Sequence, residues 1–242
     1  MAGLFDAHNH FQEFPDPVLA AAGLRPAFCC STGPADWAAV KAFAAAAPGA
    51  VPFFGLHPWL IKEAGRNWLA PLETLIKETR SGVGECGLDA LKGPPVEDQR
   101  EVLAAQLGLA VLLDRPVSLH CVRAWGPLLD CLRTAGPLRF LVHSYSASAE
   151  ITRELAALGG YFSFGPALLD ARRTRARAAL GFVPRDRLLF ESEAPRPAGA
   201  PAALLARVHA AAEGLLGLPA GAAAELSARN GAEFLGGLAE GR

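Results

Sequence analysis

The sequence predicts an α/β fold, specifically a (β/α)8 TIM-like barrel, on three observations. Short apolar runs alternate eight times with longer segments of helical period, which is typical of a parallel sheet with helical crossovers. None of the apolar runs is loaded with Lys or Pro in the way that strands at an exposed sheet edge are, which favours a closed sheet. No Gly-x-Gly-x-x-Gly motif follows the first run, which disfavours an open dinucleotide-binding sheet.

The predicted strands are short and apolar, and four of the eight end in a polar residue. They are Leu4–His10, Pro26–Ser31, Val51–Leu56, Gly82–Gly87, Pro116–Cys121, Leu138–His143, Gly160–Phe164 and Arg187–Glu191. The predicted helices are rich in Ala, Leu, Glu and Arg, which are good helix formers. They are a short piece at Pro17–Ala22, then Ala35–Ala47, Trp68–Arg80, Val96–Leu113, Ala124–Thr134, Ala147–Leu158, Leu168–Leu180, Ala202–Leu216 and a last helix at Gly221–Leu235.

Length and composition limit the class of protein. A chain of 242 residues fits a single barrel domain spanning residues 1–242. A hydrophobic fraction of 51% provides a large core and excludes a disordered chain. The formal net charge of −1 gives no general basic field, so any nucleic acid would have to bind at a local patch.

Cysteine usage and the absence of targeting features predict a cytoplasmic protein. The five cysteines are an odd number without a Cys-x-x-Cys motif, which indicates reduced thiols. No signal peptide is visible at the N-terminus. The apolar stretch Ala202–Leu218 is interrupted by Arg207, His209 and Glu213, so it predicts a packed helix and no membrane association. Nothing in the sequence indicates an obligate protein partner.

Polar side chains collect at the ends of the predicted strands. His8 and His10 lie two residues apart, so they share one face of the first strand. His57, His120 and His143 close the third, fifth and sixth runs. The sixth histidine, His209, falls inside a helix, where we expect it to pack or to lie at the surface.

Two carboxylates join these histidines. Glu85 lies in the fourth run and Glu193 follows the eighth. Since the C-terminal ends of barrel strands meet at one rim, these groups are predicted to meet there. Four imidazoles with two carboxylates suit two divalent cations that share one carboxylate; Zn, Ni, Mn and Mg all remain open. The predicted ligands are His8, His10, Glu85, His120, His143 and Glu193, while His57 lies in a turn and is predicted to line the substrate pocket.

Several segments resemble the TatD family of metal-dependent hydrolases, in family order and over almost the whole chain. They are Asp6-Ala7-His8-Asn9-His10, Gly55-Leu56-His57-Pro58, Gly84-Glu85-Cys86-Gly87-Leu88-Asp89, Pro116-Val117-Ser118-Leu119-His120-Cys121, His143-Ser144-Tyr145-Ser146, Tyr161-Phe162-Ser163-Phe164-Gly165, Arg187 through Pro195 and Asn230 through Leu235. The Gly-Glu-Cys-Gly-Leu-Asp string is the most specific of them.

The resemblance implies an amidohydrolase-type barrel with a dinuclear metal site that hydrolyses phosphodiester bonds, typically in DNA. By position, His8 and His10 would bind the first cation and Glu85 would bridge. His120 and His143 would bind the second. The acid after the eighth strand, Glu193, would complete the site and handle the proton. Glu85 and Glu193 are therefore the predicted catalytic residues.

The chain departs from the family pattern at Glu193, where the family usually has Asp. Glu191, two residues earlier, points to the same side of the strand and is expected to support the ligands without binding metal. Arg123 and Arg196 follow the fifth and eighth strands and are predicted to bind substrate phosphate, because guanidinium groups bind phosphate bidentately.

Two rival functions stay open at this point. One is a barrel of the same architecture acting on an amide, a lactone or a phosphomonoester. Many such enzymes have a carboxylated lysine where this chain has Glu85, which favours the nuclease but does not settle the substrate. The other is a catalytically weak barrel that only binds metal. The presence of Glu193 where the family usually has Asp motivates this second alternative. A barrel fold with metals does not decide among them.

Overall fold

A computed structural model describes residues 3–195 and 199–238 and contains one eight-stranded parallel sheet in chain order. The strands are β1 (Leu4–Asn9), β2 (Leu24–Cys30), β3 (Ala50–Phe54), β4 (Gly82–Asp89), β5 (Val117–Val122), β6 (Phe140–Val142), β7 (Gly160–Phe164) and β8 (Leu188–Phe190). Each strand pairs in parallel with the next, from β1 to β8. The predicted barrel is therefore confirmed.

Helices connect the strands as the alternation predicts. They are α1 (Pro17–Ala20), α2 (Trp37–Ala46), α3 (Ile61–Ala64), α4 (Leu69–Glu78), α5 (Val96–Leu112), α6 (Trp125–Ala135), α7 (Ala149–Ala157), α8 (Thr174–Leu180), α9 (Pro201–Leu216) and α10 (Ala222–Leu235). Short 3-10 turns follow β1, β3 and β7. Within the described ranges, no helix combines the length and apolar character that crossing a membrane requires.

The prediction of one continuous helix over Leu168–Leu180 is wrong, because α8 begins only at Thr174. Asp170 explains the late start. Its Oδ1 accepts the backbone N–H of Arg172 at 2.9 Å, and its Oδ2 pairs with the Arg172 guanidinium at 2.9 Å. An aspartate that binds the backbone two residues ahead offers a turn in competition with the helix.

The barrel interior is built in layers that follow strand alternation. Ser118, Leu141 and Tyr161 lie side by side in the register of β5, β6 and β7. Aromatic side chains fill the end near the strand N-termini, where Phe234 of α10 packs within 5.4 Å of Tyr161. Two residues further along the chain from Ser118 and Leu141 are His120 and His143. Alternation therefore directs these imidazoles inward at the opposite end.

The segment after β8 closes the barrel against β1. The N–H of Glu193 donates to the carbonyl of His8 at 3.2 Å, and the N–H of His10 donates to the carbonyl of Ala194 at 2.7 Å. Asp6, fully buried, accepts both the N–H of Ser192 at 2.8 Å and its hydroxyl at 2.7 Å. These bonds hold Glu193 beside the first strand, where the predicted ligands of β1 lie.

Candidate metal centre

The predicted ligands meet around one cavity of about 290 Å³ at the C-terminal ends of the strands. The residues that line it are His10, Glu13, Thr32, His57, Trp59, Leu60, Glu85, His120, His143, Glu193 and Pro195. His8 lies beneath this layer and is fully buried. A larger concavity of about 640 Å³ near the strand N-termini is lined by Phe5, Pro26 and Ala45, and none of the predicted ligands faces it.

Glu85 of β4 is the centre of the cluster, and five imidazoles surround its carboxylate. Nε2 of His8 and Nε2 of His10 lie 3.4 and 3.3 Å from Oε2. On the other oxygen, Oε1 is within 3.1 Å of His57 Nε2, 3.0 Å of His120 Nδ1 and 2.9 Å of His143 Nε2. A carboxylate contacted on both oxygens in this way can bridge two cations.

His8 and His10 are oriented by polar groups that contact the side of each ring away from Glu85. Nδ1 of His10 donates to the carbonyl of Cys30 at 2.8 Å, because a carbonyl can only accept. Neutral His10 therefore has its free lone pair on Nε2, which faces Glu85. Nδ1 of His8 lies 3.1 Å from the hydroxyl of Ser118, so its Nε2 also faces Glu85. Such contacts fix ring orientation in metal sites.

The second histidine pair is oriented by carboxylates. Nε2 of His120 lies 3.2 Å from Oδ2 of Asp89, and Nδ1 of His143 lies 3.3 Å from Oε2 of Glu193. An ionised carboxylate only accepts, so each of these nitrogens carries the proton. In the neutral form of each ring, the lone pair then lies on the nitrogen next to Glu85, which is the arrangement a metal ligand needs.

His57 has the opposite orientation. Its Nδ1 accepts the backbone N–H of Trp59 at 3.2 Å, so the neutral ring carries its proton on Nε2. That nitrogen points to Oε1 of Glu85 at 3.1 Å and acts there as a donor. The geometry sets His57 apart from the other four cluster histidines.

The pKa values of the cluster residues are set by burial and by the charged groups packed beside them. Burial acts to raise the pKa of Glu85, but the charges of His57 and His143 hold it well below its usual value. Burial alone would lower the pKa of His10 and of His143. The interactions with Glu85 and Glu193 outweigh this effect of burial, raising the pKa of His10 to about 9 and that of His143 well above its usual value. Burial and the charge of His143 lower the pKa of His8 to about 4.

This donor set fits divalent cations. Protons on His10 and His143 balance the buried carboxylates, and cations could supply the same positive charge while displacing those protons. Three overlapping groups have donor atoms within 4.8 Å of one another: His8 with His10 and Glu85, His8 with His143 and Glu193, and His57 with Glu85 and His120. Imidazole and carboxylate together suit Zn, Mn and related ions.

Glu193 and Glu191 have different environments. Glu193 lines the cavity with its backbone in the left-handed region at φ 57°, and its side chain is 30% exposed. Burial opposes ionisation of Glu193, but the charge and hydrogen bond of His143 lower its pKa to about 2. Glu191 is fully buried and accepts the N–H of Ser144 at 2.9 Å. Burial and the charge of Glu193 raise the pKa of Glu191 well above its usual value.

Of the two arginines predicted to bind phosphate, the structure describes only Arg123. Arg123 directly follows β5 at φ 53° and is exposed. It does not line the cavity, and its side chain makes no hydrogen bond or ion pair within residues 3–195 and 199–238. Arg196 lies outside the described residues. His209 is buried at 4% exposure against Phe190, so it packs inside the protein.

A family model described as TatD related DNase matches residues 5–230. The chain belongs to the TatD family. A 3'-5' ssDNA/RNA exonuclease TatD of Cronobacter turicensis is 31% identical over 207 residues, which are 80% of this chain and 76% of that protein. Human deoxyribonuclease TATDN3 is 28% identical over 130 residues, which span 52% of this chain and 47% of that protein.

The fold agrees with this assignment. The crystal structure of YjjV, a TatD homologue from Escherichia coli K12, superposes with a TM-score of 0.86 at 27% identity, covering 96% of this chain and 97% of that one. The resemblance drawn from the sequence motifs is therefore confirmed. The chain is a metal-dependent hydrolase with a TatD barrel.

Asp89 and Lys92 are two residues of this TatD site that the sequence did not predict. Asp89, buried at 3% exposure, binds both His120 and the indole of Trp59. It lies four residues after Glu85 on β4, so strand alternation could have placed it on the inward face. Lys92 lies on the loop after β4 with its Nζ 3.7 Å from the ring centre of Trp59. No local pattern in the sequence indicates that contact.

Proposed function

We propose that this TatD barrel hydrolyses phosphodiester bonds of single-stranded nucleic acid, using two divalent cations bound around Glu85. The observation that carries the proposal is the convergence of five imidazoles, four of them buried and that of His10 partly buried, on one carboxylate inside a concave cavity. The names of the two relatives, an ssDNA/RNA exonuclease and a deoxyribonuclease, support the choice of substrate.

In this proposal, the cluster residues have two roles, which are metal binding and proton transfer. His8, His10 and Glu85 would hold one cation, and Glu85, His120, His143 and Glu193 the other. Bound cations would neutralise charge on the phosphoryl oxygens and increase the acidity of water. Glu193 is ionised and lies at the cavity wall, so it can accept the proton of an attacking water. The Nε2–H of His57 donates toward Glu85 and fixes that carboxylate.

The size of the cavity and the net charge of the chain favour ends and single strands. A cavity of about 290 Å³ is near the lower limit for small-molecule sites and admits a nucleotide unit, whereas a duplex interior is too broad for it. With a net charge of −1, phosphate binding must come from a few groups, among which we include Arg123 and Arg196. All five cysteines are free thiols, which supports a reducing compartment such as the cytoplasm.

End-labelled single-stranded DNA, single-stranded RNA, blunt duplex DNA and closed circular duplex DNA test this proposal together. We expect stepwise degradation of the single strands from an end, loss of activity with chelator, and a shallow salt dependence that reflects about one to three neutralised phosphates. Glu85→Gln should be inactive, while the chemically matched Glu97→Gln on the exposed face of α5 should behave as the parent. Efficient nicking of the closed circle, or a steep salt slope, would contradict the proposal. Turnover of an amide, lactone or phosphomonoester alone would favour the rival hydrolase.

A further inference from the structure

Trp59 is a large aromatic side chain held rigidly at the mouth of the metal cavity. It lies on the 3-10 turn Pro58–Leu60 after β3, lines the cavity and is 38% exposed. Its indole Nε1–H donates to Oδ2 of Asp89 at 2.7 Å. Its ring meets the His57 ring edge to face at 4.6 Å. The ring therefore presents a flat, fixed apolar surface next to the cluster.

The loop after β4 brings a cation to this ring. Oδ1 of Asp89 accepts the backbone N–H of Leu91 at 2.7 Å and that of Lys92 at 3.0 Å. The buried amide of Gln99 donates to the carbonyls of Asp89 at 2.9 Å and Lys92 at 3.2 Å. The loop is thus fixed at both ends of this segment. The carboxylate of Asp89 therefore positions both the indole of Trp59 and the backbone of Lys92.

Lys92 covers the face of the Trp59 ring, with Nζ 3.7 Å from the ring centroid. Lys92 is exposed, so water competes with this cation–π contact and keeps it weak. A nucleobase stacked on an aromatic ring is bound more strongly than an exposed ammonium is. A base can therefore take the ring face, and the displaced ammonium is then free to bind a phosphate within reach of the lysine chain.

We propose that Trp59 and Lys92 form a nucleotide-binding subsite beside the metal centre, in which a base of the substrate stacks on the indole and Lys92 binds an adjacent backbone phosphate. This inference rests on the proposed function and names the part of the substrate that the metal cluster does not recognise. It restricts the substrates to phosphodiesters that carry a nucleobase near the scissile bond. Because every base has a π face, the subsite accepts any sequence.

The test compares a single-stranded oligonucleotide with the same oligonucleotide made abasic at its terminal positions. In Trp59→Ala, KM for the normal strand should rise about 10-fold or more, within the range that loss of one stacked base produces. The kcat should stay within about threefold, and the abasic strand should respond little, because it has no base to stack. Trp59→Phe, which keeps a ring but loses the bond to Asp89, should retain most of the preference for the normal strand.

Lys92→Ala provides a second measurement that does not depend on turnover. Binding of a fluorescently labelled oligonucleotide should lose about 0.7 from the slope of log Kd against log salt, the share of one phosphate on a single strand. Lys77→Ala, on the exposed face of α4, is the matched control and should leave the slope unchanged.

Each outcome decides between the subsite and the proposed reaction. Equal losses on normal and abasic strands in Trp59→Ala would overturn the subsite and leave the nuclease function standing, because Trp59 would then act only by supporting Asp89. A parent that hydrolyses no nucleic acid, yet binds oligonucleotide with a Trp59-dependent Kd, would keep the subsite and refute the reaction. A parent that neither hydrolyses nucleic acid nor binds oligonucleotide through Trp59 would refute the subsite and the reaction together.

Discussion

Oδ2 of Asp89 lies 3.2 Å from Nε2 of His120, so a buried carboxylate on β4 sets which nitrogen of a β5 histidine faces the metal centre. The same oxygen accepts the indole N–H of Trp59. Burial acts to raise the pKa of Asp89, but hydrogen bonds from Leu91, Trp59 and His120 hold it below its usual value. Asp89 is therefore ionised at neutral pH and keeps the proton of His120 on Nε2.

Asp89→Asn should weaken metal binding by roughly 10- to 100-fold, as the loss of such supporting partners does in other metal sites. The amide supplies one acceptor oxygen, and its NH2 group would face a donor, either Trp59 Nε1 or His120 Nε2. Metal affinity is measured by competition with a fluorescent chelator. Asp98→Asn, on the exposed side of α5, serves as the control. Equal affinities in the two variants would show that Asp89 does not orient His120.

Glu193→Gln should lower turnover by roughly 10²- to 10⁴-fold while the protein retains most of its metal, because the amide cannot accept a proton. Glu193→Asp restores the residue that the family usually has and should keep or raise activity. Kinetics and elemental analysis on both variants test this. If Glu193→Gln is as active as the parent, Glu193 is not the base, and Glu191 or the catalytically weak barrel becomes the better interpretation.

His57→Gln should leave metal content close to that of the parent, whereas His120→Gln should lose metal. The reason is the tautomer: His57 accepts the Trp59 N–H on Nδ1 and donates from Nε2, while His120 presents a lone pair to the cluster. The same substitution at two neighbouring imidazoles makes the comparison matched. Equal metal loss in both variants, measured by elemental analysis, would identify His57 as a ligand.

The buried His209 should make stability depend on pH. Burial lowers the pKa of His209 to about 4, so between about pH 6.5 and pH 4 the unfolded chain binds more protons than the folded one. Stability is full above this window and falls as pH decreases through it. At pH 5 the loss from His209 is about 2 kcal/mol relative to pH 8.

Urea unfolding of the parent and of His209→Leu at pH 8 and pH 5 isolates this contribution, because all other titrating groups are common to both proteins. The free energy of unfolding of the variant should fall by about 2 kcal/mol less than that of the parent between the two pH values. An identical fall in both would mean that His209 is not held neutral by burial.

The strand ends made much of the site predictable from sequence. His8 and His10 share a strand face, and His120 and His143 follow inward positions of β5 and β6, so alternation together with barrel closure brings them to one rim. Strand alternation applies equally to Asp89, which lies four residues after Glu85 on β4.

Other features depend on contacts that no local pattern carries. The tautomer of His57 follows from one backbone N–H in the turn at Pro58–Leu60, and the place of Lys92 follows from the hydrogen bonds of Asp89 and Gln99 across a loop. The late start of α8 follows from the Asp170 side chain, which competes with a helix that the Ala, Leu and Arg residues favour.

Metal content measured together with turnover is the most direct test of a dinuclear hydrolase centred on Glu85. Protein purified without chelator should contain about two divalent cations per chain, lose turnover of single-stranded DNA when they are removed, and regain it with Zn, Mn or Ni. Glu85→Gln should bind less metal and remain inactive after the same treatment. Protein that stays metal-free after incubation with all three ions, or that hydrolyses DNA equally well without metal, would contradict this account.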